Sequence, residues 1–144
     1  MTNGLDRAIR NRRGQALAEF ALVLPLVLLF IAGIVEMGRA WNIKQVVTDA
    51  AREGARYTVV QDGTVDSNAV KAKIMERLAL GSIETATITI EPSADWRKGG
   101  QPMTVTVTTQ FQMGLIGALL GWAGAPSVVP ISTQATMRNE PGDT

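Results

Sequence analysis

The sequence predicts an α+β fold in which one long N-terminal helix packs on a small antiparallel sheet with a short second helix. A helical pattern without a loop signal runs from Gln15 to about Val59. A shorter helical pattern covers residues 69–80. Three later segments have the composition of strands, and the first two alternate apolar with polar side chains: residues 85–91, 103–111 and 129–137.

The start of the chain is polar and basic. Residues 1–14 hold four arginines against one aspartate, whereas the remaining 130 residues hold 10 basic and 12 acidic side chains. A basic head beside an apolar run is typical of the cytoplasmic end of a membrane segment, and it favours a membrane over nucleic acid as the partner. We expect little regular structure in residues 1–14.

The next segment, residues 15–35, predicts a transmembrane helix. It carries a single charge, Glu19, and none of the positions from Ala21 to Val35 is polar. About 20 apolar residues suffice to span a bilayer as a helix. A buried core helix would usually show a polar face. The arginines before this segment place Met1 in the cytoplasm and the C-terminal bulk outside, by the positive-inside rule.

The helix is expected to continue beyond the membrane as an amphipathic extension over residues 36–60. This stretch has no proline, and its apolar or small positions recur at helical spacing. Ala50, Gly54 and Ala55 form a small-residue face that lets another backbone or a sheet approach closely. The Glu36–Arg39 pair, directly after the span, lies where headgroup contacts are expected.

Pro25 lies inside the predicted span and removes one backbone hydrogen bond, so we expect a helix kink there. Two interpretations stay open. The proline is either one that a membrane helix tolerates, or a hinge that permits the segment to leave lipid and repack.

Residues 61–144 are expected to form a small extracytoplasmic α+β domain. A loop at residues 61–67 precedes Asn68, the expected cap of the second helix, and Gly81 is expected to end that helix. Pro130 favours an edge position for the last strand. The pattern predicts buried side chains at one helix face and one strand face: Val70, Ile74 and Leu78, and Met103, Val105, Val107 and Phe111.

Residues 112–126 are apolar and glycine-rich, and they are too few for a second span, which needs about 20 residues. We expect a short helix that completes the core of the small domain. The alternative is an exposed apolar surface for a partner or for the outer membrane leaflet.

The composition argues against enzymatic chemistry. The chain has no cysteine and no histidine, which removes disulfides, thiolate metal sites and the commonest general base. No phosphate-binding loop, dinucleotide fingerprint or metal cluster is present in the sequence. We therefore expect no catalytic residue, no cofactor and no metal.

Glu19 is the feature that asks for an explanation, because a carboxylate in lipid is costly unless it is paired. It could reach the headgroups, since it lies about 7 Å from Gly14 along a helix. A secretory signal peptide is a poor alternative, because a charge should not interrupt the start of its apolar core.

The motif around Glu19 resembles a known processing site. Basic residues, Gly14, four further residues, then Glu19, Phe20 and a long apolar run make RRGQALAEFALVLP similar to the processing site of type IV pilins. Downstream, AAREGARYTVV and TQATMRNE resemble the TadE/TadG-like minor pilins, or pseudopilins, of the tight-adherence (Flp, type IVb) pilus system. The resemblance covers the N-terminal 60 residues and the last strand, and it implies a type IV pilin-like fold.

The resemblance implies roles for four residues. A prepilin peptidase would cut between Gly14 and Gln15, so that residues 1–14 are a cytoplasmic leader and Gln15 becomes the N-terminus. Glu19, followed by Phe20, would meet the α-amine of a neighbouring subunit and set the register of assembly, as a polar group sets register in a coiled coil.

The expected function is therefore that of a minor pilin for a Tad/Flp-type pilus, related to adhesion or secretion. The implied partners are the prepilin peptidase, other major and minor pilins, the pilus assembly platform and inner-membrane lipid, with no nucleic acid. The expected location is the inner membrane, as a single-pass protein that becomes extracellular within a pilus. The alternative is a permanently anchored extracytoplasmic binding module.

Overall fold

The computed structural model describes residues 3–60, 66–91 and 102–138, with the backbone alone described for residues 3–13 and 60. Three helices and three strands make up these ranges, and they follow one another in an α+β arrangement, as the sequence predicts. The elements are α1 (Asn3–Val60), α2 (Ser67–Leu80), β1 (Thr87–Glu91), β2 (Pro102–Gln112), α3 (Leu115–Trp122) and β3 (Val128–Arg138).

Helix α1 is continuous over 58 residues, which corresponds to about 87 Å at the rise of an α-helix. The expectation of little regular structure before Gln15 is wrong, because the helix begins at Asn3 and passes through Gly14. Four residues of this stretch are arginines, which are strong helix formers, and the stretch contains no proline. The helix is also unbroken at Pro25, where the kink stays a prediction.

Helix α2 ends at Gly81, as predicted, but its cap differs from the prediction. Asp66, not Asn68, is the cap: its Oδ1 accepts the Asn68 N–H at 2.9 Å. Both residue types favour this position, so the sequence pattern alone did not separate them. The predicted apolar stripe of α2 is fully buried, and it consists of Val70, Ile74 and Leu78.

The three strands form one antiparallel sheet in the order β1-β2-β3. Ile88 pairs with Val107, and Val105 pairs with Ala135, which aligns the apolar faces of all three strands. β3 is an edge strand, as its Pro130 predicts, and β1 starts at Thr87 rather than at residue 85.

The core lies where the outer part of α1, α2 and one face of the sheet meet. The strand face predicted to be buried is buried: Met103, Val105, Val107 and Phe111. From the helices, these strands meet small and branched side chains that are fully buried: Val47, Ala50, Ala51, Ala55, Val70, Ile74 and Leu78.

β2 runs nearly antiparallel to α1. A Cβ atom placed on Gly54 would lie 3.6 Å from Val105, and the Arg39 guanidinium lies 5.5 Å from the centre of the Phe111 ring. These two contacts are separated by about 20 Å along β2 and about 22 Å along α1. The hairpin of β2 and β3 therefore follows the helix down towards its apolar half.

Helix α3 forms the tip of this hairpin, and the expectation that it completes the core is wrong. Leu115, Leu119 and Trp122 are 69%, 55% and 92% exposed, and Gly117 is the buried residue of the helix. The core is already filled by the outer part of α1, by α2 and by the sheet. The alternative, an exposed apolar surface, is what the structure shows.

Candidate assembly and membrane site

The apolar half of α1 is mostly exposed among the described residues, with α3 touching its outer end near Gly33. One helix in these ranges is long and apolar enough to cross a membrane, and 6% of its most apolar 18-residue window is buried. The core helix of a soluble protein would be mostly buried there, so the exposure favours a membrane span. Its exposed large side chains include Leu22, Leu26, Leu28, Phe30, Ile31 and Ile34.

The predicted processing site lies on the surface of this helix. Gly14 and Gln15 are exposed, and a Cβ atom on Gly14 would meet nothing within 4 Å. The backbone is helical at both residues. A protease that needs extended backbone would have to unwind this turn, and glycine lowers the cost of doing so because it is a poor helix former.

Glu19 lies one turn after Gln15 and is exposed. Its Oε1 accepts a hydrogen bond from Gln15 Nε2 at 3.1 Å, and the adjacent Phe20 is 61% exposed. The helix therefore brings Gln15 and Glu19 together on one face, with Phe20 beside them. No cationic partner of Glu19 appears among the residues whose side chains the structure describes.

The small-residue face lies about 50 Å from Glu19 along α1. Ala50 and Ala55 are fully buried, and a Cβ atom on Gly54 would lie 2.5 Å from Ile74. This face packs on the chain's own α2 and β2 rather than forming an open surface for another subunit. It holds the small domain close to the helix.

Sequence reasoning missed the role of Glu36, the first charge after the span. Glu36 is 6% exposed. Its Oε1 accepts the Gly114 N–H at 2.6 Å and the Leu115 N–H at 2.9 Å, and Arg39 Nη1 lies 3.2 Å from its Oε2. A carboxylate on α1 thus caps the N-terminus of α3, where free N–H groups favour negative charge.

Gly114 is suited to this contact by its lack of a side chain. A Cβ atom there would lie 2.8 Å from Glu36 Oε1 and 3.1 Å from Arg39 Nη1. Gly114 and Leu115 lie 78 and 79 positions after Glu36 in sequence, so no local pattern reveals this contact. The available signal was that a lone acid follows the span.

An ion pair on α2 shows what an ordinary surface charge looks like in this molecule. Lys73 Nζ lies 2.9 Å from Glu76 Oε2. The hydrogen bond and charge of Glu76 raise the pKa of Lys73, and those of Lys73 lower the pKa of Glu76. In the described ranges, no group of three or more acidic side chains is arranged to hold a metal ion.

Residues 14–56 match the family model described as TadE-like protein. No curated protein and no solved structure matches the chain. The matched segment includes the predicted processing site, Glu19 and the small-residue face. The match supports the TadE-like family expected from the resemblance, over residues 14–56 of the chain.

Proposed function

We propose that this TadE-like chain is a minor pilin or pseudopilin of a Tad/Flp-type pilus, cut by a prepilin peptidase after Gly14. The observation that carries the proposal is Glu19: an exposed carboxylate on an exposed apolar helix surface, five residues after an exposed glycine, within the matched segment. The function is one of assembly rather than catalysis.

Cleavage would supply a positive charge close to Glu19. Cutting the Gly14–Gln15 bond leaves an α-ammonium on Gln15, whose side chain already contacts Glu19 at 3.1 Å. The released amine can pair with Glu19 of its own chain or of a neighbour. Because an unpaired carboxylate in lipid is costly, each added subunit would gain by matching one amine to one carboxylate, and this would set the axial register.

The exposed apolar half of α1 supports the same proposal. In the inner membrane lipid would cover it, and in a fibre the helices of other major and minor pilins would. The basic leader holds the N-terminus in the cytoplasm by the positive-inside rule, and its removal takes away the four arginines that oppose outward transfer. The pilus assembly platform would then move a span whose cytoplasmic anchor is gone.

The test is the N-terminus of the protein recovered from membranes with and without a co-expressed prepilin peptidase. We expect intact mass and N-terminal sequencing to show a form beginning at Gln15 when the peptidase is present. Gly14→Val should block cutting, since a side chain would fill the space next to the scissile bond. Gly38→Val is the matched control, because Gly38 is equally open on the same helix and far from the cut.

A protein that still begins at Met1 in its native envelope, with no trimmed form, contradicts the proposal. That result would leave the alternative, a permanently anchored extracytoplasmic module. Cutting of Gly14→Val as efficiently as of the unmodified protein would contradict the assigned site while keeping the chain a peptidase substrate.

A further inference from the structure

The tip of the β2–β3 hairpin reaches the level of the span. β2 descends along α1, and the turn after it brings the Gly114 N–H to Glu36. A Cβ atom on Gly33 would lie 3.8 Å from Ile116 Cδ1. Gly33 lies about 5 Å from Glu36 along the helix axis, on the side of the span. Helix α3 therefore starts at the outer end of the span and packs on residues inside it.

The chemistry of this tip is that of lipid-facing protein. No side chain from Met113 to Pro126 is polar, and the whole hairpin from Pro102 to Met137 carries no charged side chain. The apolar side chains of α3 lie exposed, with Trp122 at 92% and Leu115 at 69%. A surface of this kind in water would be an aggregation liability.

Several backbone N–H groups at the two ends of α3 have acceptors within the protein. In lipid, backbone polar groups must be satisfied within the protein. The N–H groups of Gly114 and Leu115 donate to Glu36, whose charge faces Arg39. At the other end of α3, Ala123 N–H donates to Leu119 O at 3.2 Å and Ala125 N–H to Leu120 O at 2.8 Å.

We propose that α3 is a second membrane contact: it enters the outer leaflet beside α1, with Leu115, Leu119 and Trp122 in lipid. The occupant of this surface is lipid because α3 lies beside Gly33, at the outer end of the span, where Ile34 and Met37 are exposed. Tryptophan is also the residue typical of that depth. The inference rests on the span of α1, which the proposed function requires.

The experiment uses the full chain in vesicles of phosphatidylcholine and phosphatidylglycerol, with single-tryptophan variants. W41F/W96F keeps Trp122 as the reporter. A reference variant, F30W/W41F/W96F/W122F, places the reporter inside the span. Brominated phosphatidylcholine quenches tryptophan in lipid, and acrylamide quenches tryptophan in water. We expect Trp122 to lose intensity in brominated vesicles, to emit at shorter wavelength and to be shielded from acrylamide.

A variant at an exposed position of α3 sharpens the test. Leu119→Asp should lower the quenching of Trp122 by brominated lipid and raise its quenching by acrylamide, because a charge opposes insertion. The reporter at position 30 should be unaffected by Leu119→Asp. Equal lipid quenching of Trp122 with and without Leu119→Asp would count against insertion.

The outcomes separate the inference from the proposed function. If position 30 is quenched by brominated lipid while Trp122 stays open to acrylamide, α1 spans the bilayer and the inference about α3 is wrong. If position 30 is not quenched, the span fails and the proposed function fails with it. If Trp122 is shielded only at high protein-to-lipid ratio, a second copy covers α3 and the lipid contact is overturned.

Discussion

The two carboxylates that bracket the apolar half of α1, Glu19 and Glu36, lie about 25 Å apart along one helix and in opposite environments. Glu36 is 6% exposed and meets two backbone N–H groups and the Arg39 guanidinium. Glu19 is exposed and meets the uncharged side-chain amide of Gln15.

The difference indicates a structural role for Glu36 and supports the proposed assembly role of Glu19. The chain supplies the partners of Glu36 itself, so that carboxylate is part of the fold and holds the hairpin tip against the helix. It supplies no described cation for Glu19, although both residues border the same apolar surface. A carboxylate in that position, without a cationic partner among the described side chains, is available to a partner that arrives later, as the cut N-terminus of a pilin would.

The largest effect is expected from Glu19→Ala. The variant should be cut at Gly14 as usual, but its incorporation into pili should fall strongly, because the released amine has no carboxylate to meet. Immunoblots of sheared pili against the membrane fraction measure this. Glu19→Gln should fail similarly if charge matters. Asp49→Ala, which removes an exposed acid further along α1, is the control. Normal incorporation of Glu19→Ala would remove the pairing role.

Gly54→Leu should give the largest loss of stability. The new side chain would meet Ile74, which a Cβ atom alone would already approach to 2.5 Å. Overpacking of this kind costs about 1–3 kcal/mol, sometimes more. Thermal unfolding in detergent, followed by near-ultraviolet circular dichroism, measures it. Gly38→Ala, with open space around it, should be neutral or stabilising by about 0.5–1 kcal/mol. Equal midpoints for the two variants would show that the small face is not tightly packed.

Glu36→Ala should loosen the hairpin tip with a smaller loss of stability. It leaves the N–H groups of Gly114 and Leu115 without an acceptor, at a cost of about 1–2 kcal/mol, comparable to the loss of a helix cap. Amide hydrogen exchange at these two residues should accelerate, while exchange in α2 should not change. Glu36→Gln keeps an acceptor oxygen, so its exchange rates at Gly114 and Leu115 should lie between those of the unmodified protein and those of Glu36→Ala. Unchanged exchange in Glu36→Ala would mean that the cap does not hold α3.

The smallest effect on stability is expected from removal of the exposed Lys73–Glu76 ion pair. The lowered pKa of Glu76 stabilises the fold above the carboxyl's ordinary pKa and is lost as pH falls through the lowered value. The raised pKa of Lys73 stabilises the fold below the ordinary lysine pKa and is lost as pH rises through the raised one. Glu76→Gln should therefore leave the unfolding midpoint nearly unchanged at neutral pH, since exposed ion pairs contribute little. A large shift would mean that α2 depends on this pair.

Local patterns predicted most of the fold. The alternation from Met103 to Phe111 predicted a strand with one buried face, because the period of a strand decides which side chains share a face. Prediction failed where the deciding contact is distant. Residues 112–126 were expected to complete the core, with an exposed apolar surface as the alternative, and both environments select the same side chains. Where this segment lies depends on the path of β2 along α1, which no local pattern encodes.

The candidate site divides in the same way. Gly14 and Glu19 could be proposed as site residues from the sequence because their motif is contiguous, and their roles stay predictions. Glu36 was assigned to headgroup contacts, because its acceptor role becomes visible once residues 78 and 79 positions away are brought to it. The cap at Asp66 was missed by two residues because aspartate and asparagine serve that position almost equally well.

The near-antiparallel course of β2 and α1 has a mechanical consequence. A tensile load applied along the helix would act along the strands too. Backbone hydrogen bonds of an antiparallel ladder lie across the strands, so such a load would shear many of them together instead of opening them in succession. The small α+β domain should therefore resist traction along the axis of α1 better than traction perpendicular to it.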